Sequence, residues 1–179
     1  MKSLLSLFTL VLALTLLCVG ESASPRRSTP VRGAIVGHLE IPRLRISVDV
    51  LEGSDPNILA VAAGHIEGTS LPGLSGNVGI AAHRDTFFGA LKDIRQYDII
   101  TVRTTGGNFD YAVNRTEVVV PSNIDVLHQT TDPELTLVTC YPFHHKGPSP
   151  KRFIVHATRI GEVSLSTSDA NSGPRQGVK

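Results

Sequence analysis

Seven short runs rich in β-branched and aromatic residues crowd into residues 33–160, and most are closed by Gly, Pro, Asn or Asp. They cover 35–41, 46–50, 77–82, 99–104, 109–120, 135–140 and 153–157. Segments this short, at this spacing, cannot build helical layers, so the chain is constrained to an all-β domain of seven or eight strands, a barrel or a sandwich. Two pieces break the strand pattern. Residues 55–63 place Ile58, Leu59 and Ala62 on one side, with Pro56 suited to a first helical turn. Residues 86–95 place Phe87, Leu91 and Ile94 along one stripe, with Asp85 in a capping position. One further helical turn is expected at 124–127, and Gly106-Gly107 reads as a hairpin turn.

The ends of the chain differ in character from this middle. Lys2 precedes residues 4–19, a sixteen-residue stretch without a charge, and Ser22-Ala23-Ser24 offers a processing point. Residues 1–20 therefore read as a signal peptide or an N-terminal membrane anchor, and either one sends the rest of the chain across a membrane. Residues 21–32 read as a flexible linker and 161–179 as a disordered tail, because both are polar and carry no apolar period. The organisation expected is one domain at 33–160 between two tethers, placed outside the cytoplasm.

Charge and composition remove several functions. With 17 basic and 16 acidic residues and no basic cluster beyond two adjacent side chains, a broad phosphate-contacting surface is not encoded, so nucleic acid is not an expected partner. Tryptophan is absent and tyrosine occurs three times, which gives no stacking platform. No glycine-rich phosphate loop lies between a strand and a helix. His144, His145 and His156 come after Cys140, but adjacent histidines diverge and no four ligands have structural-zinc spacing, so no metal or cofactor is expected.

What remains is an unpaired thiol. Cys18 lies in the leader, so an exported mature chain keeps Cys140 alone, and a solitary cysteine outside the cytoplasm needs packing, intermolecular bonding or chemistry as its reason. Alternation puts Thr136, Val138 and Cys140 on one face of their strand and Leu135, Leu137 and Thr139 on the other. If 135–140 and 152–157 are antiparallel neighbours, Cys140 and Arg152 meet at the loop end. A guanidinium there suits a thiolate and also a carbonyl oxygen that becomes negative under attack. A proton carrier is then needed, and histidine is the natural group. His83 and His65 both sit where an apolar run passes into a loop, and periodicity does not separate them.

Several stretches, taken together, resemble a known family. Gly64-His-Ile-Glu-Gly-Thr-Ser-Leu-Pro-Gly73, Gly76-Asn-Val-Gly-Ile-Ala-Ala-His-Arg-Asp-Thr-Phe-Phe88, Leu135-Thr-Leu-Val-Thr-Cys-Tyr-Pro-Phe143 and Lys151-Arg-Phe-Ile-Val-His-Ala157 occur in the order found in sortases, most like class D. The resemblance spans about residues 35–160 and implies an eight-stranded sortase-type β-barrel with short helices. It implies a cysteine transpeptidase that cuts a sorting signal after threonine, holds the threonine as a thioester and passes it to an amine. The nucleophile then matches Cys140, the histidine His83 and the arginine Arg152. Thr139 matches a position associated with substrate or oxyanion contacts, and His65 falls in a structural or cleft-lining stretch.

The implied partners are exported proteins with a C-terminal sorting signal and an amine acceptor, such as a peptidoglycan precursor or a pilin lysine. The membrane is a further partner if the N-terminal segment is uncleaved. The short 141–151 connection, stiffened by Pro142, Pro148 and Pro150, is class D in character and implies a Leu-Pro-x-Thr-Ala-like preference. Ala82 stands where many sortases carry glycine. The rival readings are a hydrolytic cysteine peptidase and a noncatalytic peptide-binding surface β-barrel. An L,D-transpeptidase would need glycine before the nucleophile and arginine two residues after it, but Thr139 and Pro142 stand there.

Overall fold

The computed structural model describes residues 29–144 and 147–161. The expected leader or anchor at 1–20, most of the linker at 21–32, Cys18, His145 and all but the first residue of the tail at 161–179 lie outside the described residues. Among those described, no helix is long and apolar enough to cross a membrane.

Eight strands close into a barrel: β1 (Ile35–Ile41), β2 (Ile46–Glu52), β3 (Ala63–His65), β4 (Asn77–Ala81), β5 (Ile99–Thr104), β6 (Gly107–Val119), β7 (Glu134–Tyr141) and β8 (Lys151–Arg159). Around the wall the order is β1-β2-β3-β4-β7-β8-β6-β5, with β5 returning to β1. Only β2/β3 and β4/β7 run parallel. Closure, not a second packed sheet, is how this chain removes its edges, which decides between the two architectures that strand spacing allows.

Alternation fills the interior. Leu39, Ile41, Val48, Val50, Val78, Ile80, Ile100, Val102, Val113, Leu135, Leu137 and Val155 are buried in one cluster. Phe88 and Leu91, from the segment between β4 and β5, enter the same core. On β7 the inward set is the odd-numbered one, so Thr136, Val138 and Cys140 point outward. The connection from β6 to β7 folds back over the lower part of that outer face. Asn77 donates from Nδ2 to Val126 O at 3.1 Å, and the Thr136 hydroxyl donates to Asn77 Oδ1 at 2.8 Å.

The local elements are shorter than the sequence pattern suggests. Asp55 caps a single helical turn, Pro56–Leu59, by accepting from Asn57 N at 2.9 Å, and Pro56 opens that turn as expected. Residues 63–65, which begin at the last residue of the expected helix, instead form β3. A Cβ on Gly64 would lie 2.3 Å from Gly53 O, so only glycine lets the chain pass this close to the end of β2. The expected helix at 86–95 contracts to a 3₁₀ segment, Gly89–Asp93, and Asp85 does not cap it. The chain after β4 instead closes a tight turn around the carbonyl of His83, which accepts from Phe88 N at 3.1 Å, and leaves the Asp85 side chain exposed. The turn expected at 124–127 is a 3₁₀ turn at Asp125–Leu127.

Candidate active site

Three neighbouring strands bring the candidate residues to one end of one outer face. In the β7/β8 ladder Cys140 stands directly opposite Arg152, a pairing that sets Cβ atoms about 4.5–5.5 Å apart. In the parallel β4/β7 ladder Ala81 pairs with Val138, and Ala82 N donates to Val138 O at 3.2 Å. Two residues further along each strand lie His83 and Cys140, so His83 leaves β4 at the level of the cysteine. Its side chain is exposed and that of Cys140 half-buried, so both are open to a peptide lying on this face. Below them Ala81, Val138 and Ile154 form the apolar continuation of the face.

Backbone contacts fix the supporting side chains from beneath. Thr139, buried on the inner face, donates its hydroxyl to Ala82 O at 2.8 Å and so ties the peptide preceding His83 to the residue preceding Cys140. Arg152 donates from Nη1 to Lys151 O at 3.0 Å and to Ser149 O at 3.2 Å. Nε and Nη2 are bound to none of the described residues and remain as donors for a ligand. Behind the loop end, Tyr141, Phe143 and Phe153 form an aromatic cluster, with Phe143 and Phe153 centroids 5.2 Å apart in an edge-on arrangement.

The arrangement offers a thiol for attack, a fixed cation beside the position of a developing oxyanion, and an imidazole able to shuttle a proton. His65, the other histidine that periodicity allowed, is elsewhere. It is buried in β3, with Nδ1 2.7 Å from Glu52 Oε2 and Nε2 3.0 Å from Ser70 O, and takes a structural place between β2 and β4. His156 lies on the same outer face as Arg152 but two pairs further down. It is buried and its Nε2 donates to Glu117 Oε1 at 2.7 Å. Among the described residues no group of three or more metal-ligating side chains converges.

Sequence reasoning gave no role to Arg84, which the structure buries beside the site. Its guanidinium reaches Pro142 O at 3.0 Å, Gly147 O at 3.2 Å and the Ser149 hydroxyl. A charged residue directly after the candidate histidine was the available signal, but an arginine in a polar turn reads first as solvated.

Comparison with known proteins agrees with this geometry. The family model described as Sortase domain matches residues 39–160. The chain is 31% identical over 132 residues to Sortase D of Bacillus subtilis, covering 73% of this chain and 67% of that protein. It is 26% identical over 136 residues to Sortase A of Listeria monocytogenes, covering 74% of this chain and 58% of the relative. Among solved structures, a Clostridium perfringens Sortase D5 transpeptidase superposes with a TM-score of 0.68 at 30% identity, over 74% of this chain and 83% of that one. Clostridium perfringens sortase C with its C-terminal cell wall sorting motif superposes with a TM-score of 0.67 at 29% identity, over 74% of both chains. An eight-stranded closed barrel, a thiol opposite an arginine, and a family match from within β1 to the end of β8 lead to one assignment: the chain belongs to the sortase family of cysteine transpeptidases.

Proposed function

We propose that this protein cleaves a Leu-Pro-x-Thr-x-like sorting signal after threonine and transfers the threonine to an amine outside the cytoplasmic membrane. The observation that carries this reading is the opposition of Cys140 and Arg152 across β7/β8, with His83 leaving β4 at the same level. The Cys140 thiolate attacks the threonine carbonyl, and the developing oxyanion is held by Arg152 together with a backbone N–H. Collapse of the tetrahedral intermediate breaks the C–N bond, and protonated His83 gives its proton to the departing amine. A thioester remains. The incoming amine then attacks it, His83 takes the amine proton, and the C–S bond breaks to return the thiolate. Attack needs an ionised sulfur and the departing amine needs a proton, so the reactive state is the one with Cys140 ionised and His83 protonated together.

The outer face limits the substrate class by the side chains it can bury. Ala81 and Val138, both half-buried, offer an apolar floor to the Leu-Pro part of a signal, and the similar sortase C solved with the C-terminal cell wall sorting motif supports the same class of peptide. The resemblance to class D favours alanine after the threonine. A wall precursor or a pilin lysine would supply the amine, and residues 1–20 would deliver or anchor the domain at the cell surface.

The test incubates the full chain with a library of Leu-Pro-x-Thr-x peptides and an amine, and tracks products by mass spectrometry. A threonine-linked thioester on Cys140 and an amine-ligated peptide are expected. Both vanish in Cys140→Ala, whereas turnover falls by roughly 10²–10³ in Arg152→Ala, the usual cost of one oxyanion donor. Product formed undiminished by C140A would overturn the nucleophile. Threonine acid as the sole product at every amine concentration would convert the reading to a hydrolytic peptidase.

A further inference from the structure

Arg84 comes directly after His83, yet the two side chains go opposite ways. His83 is exposed and Arg84 is 6% exposed. The chain is pressed together here, since a Cβ on Gly89 would lie 2.7 Å from Arg84 O, and the Arg84 side chain runs under the connection between β7 and β8. There its Nη1 donates to Pro142 O at 3.0 Å and to the Ser149 hydroxyl, and its Nη2 donates to Gly147 O at 3.2 Å. Its ion pair with Asp85, 3.3 Å from Nε to an exposed carboxylate, is a weak contact by comparison. A buried guanidinium is retained only where its donors are used, and these donors span both ends of one loop.

The acceptors are placed with respect to chemistry. Pro142 is two residues beyond Cys140, and Ser149 is three before Arg152. Ser149 is the link, because its hydroxyl receives Arg84 while its carbonyl receives Arg152 Nη1 at 3.2 Å. One side chain thus joins the exit of β4, the end of β7 and the start of β8, the three points from which His83, Cys140 and Arg152 project. Building on the roles assigned to those three residues, we propose that Arg84 is a positioning residue of the reaction: it clamps the β7–β8 connection to the exit of β4 and, through Ser149, sets Arg152 beside Cys140. Lysine keeps the charge but reaches one acceptor at a time, so it restores part of the clamp. Methionine fills the space and restores none of it.

The experiment compares the full chain with Arg84→Met, Arg84→Lys, Ser149→Ala and the double variant R84M/S149A. Steady-state turnover of a Leu-Pro-x-Thr-x peptide, thermal unfolding, and hydrogen exchange of peptides spanning 141–151 and the core strands are measured together. In R84M kcat falls about 10- to 100-fold, the scale of a misplaced catalytic group, with KM changed less. Exchange in 141–151 speeds up while β1, β2 and β5 keep their protection. R84K lies between R84M and the unmodified chain, and S149A lowers kcat less than R84M and adds little to it in the double variant. Unaltered loop exchange with unaltered turnover per folded molecule, whatever the unfolding temperature, overturns the proposal. Independent, multiplicative losses in the double variant overturn the link through Ser149. If R84M does not fold, R84K and S149A decide by the same readouts. Loop exchange needs no substrate, so absence of turnover in the unmodified chain rejects the transpeptidase reading and leaves the clamp to be judged by exchange.

Discussion

At the scale of single residues the site is made by pairings, not by unusual side chains. Cys140 and Arg152 gain their relation from one register pair, and Thr139 holds Ala82 O through one hydroxyl. Thr139→Val would keep the volume and β-propensity but leave that buried carbonyl without its donor, a loss of about 1–3 kcal/mol. Chemical denaturation without substrate should show this loss, kcat should fall with it, and Thr139→Ser should recover both. An activity loss at unchanged stability would instead mark Thr139 as an oxyanion donor. The lone thiol and the strand-end arginine were both legible in the sequence. Choosing His83 over His65 was not, because each ends an apolar run. The choice came from resemblance, and the parallel β4/β7 register then set His83 level with Cys140 while β3 enclosed His65.

At the scale of elements, the long alternating runs were readable and the short ones were not. β1 and β5 have the bounds their patterns predict, since each is an alternating segment bordered by turn residues. β3, three residues long, has no period to read, and it is a strand only because β2 and β4 take it between them. Gly64 is what allows that fit. Gly64→Ala would drive a methyl into Gly53 O, which is backbone and cannot turn aside. The expected cost is about 1–3 kcal/mol, read as a lower denaturation midpoint together with faster amide exchange in β2 and β3. The helix expected at 86–95 fails for a related reason. Its apolar stripe is real, with Leu91 buried, but the backbone after His83 is used to close a turn around that residue, and this leaves room for a 3₁₀ segment alone.

At the scale of the whole molecule, barrel closure places charged groups where strand patterning alone would leave them solvated. His156 is packed between β7 and β6; burial lowers its pKa below the ordinary 6.5, and the partial opposing pull of Glu117 does not restore it. A histidine held neutral in the fold but free to protonate when unfolded stabilises the native state above its unfolded pKa. That contribution is lost as pH falls from about 6.5 toward the folded value. Glu117, lowered first by Arg115 and then by His156, adds a second loss below its ordinary 4.5. Calorimetry across about pH 7.5 to 5 should therefore show a falling unfolding temperature, and His156→Gln should flatten that slope above about pH 5. The sequence by itself determined that the domain is all-β, where most strands run, which residues of β7 share a face, and that one thiol needs a reason, because alternation, turn chemistry and composition act within a few residues. Strand patterning left barrel and sandwich open, the resemblance implied the eight-stranded barrel, and the fold bears that out; the tertiary structure alone decided that β4 runs parallel to β7 and that Arg84 is buried beneath the β7–β8 connection. Each of these depends on contacts between residues far apart in the chain, and no local pattern records which distant strand becomes a neighbour.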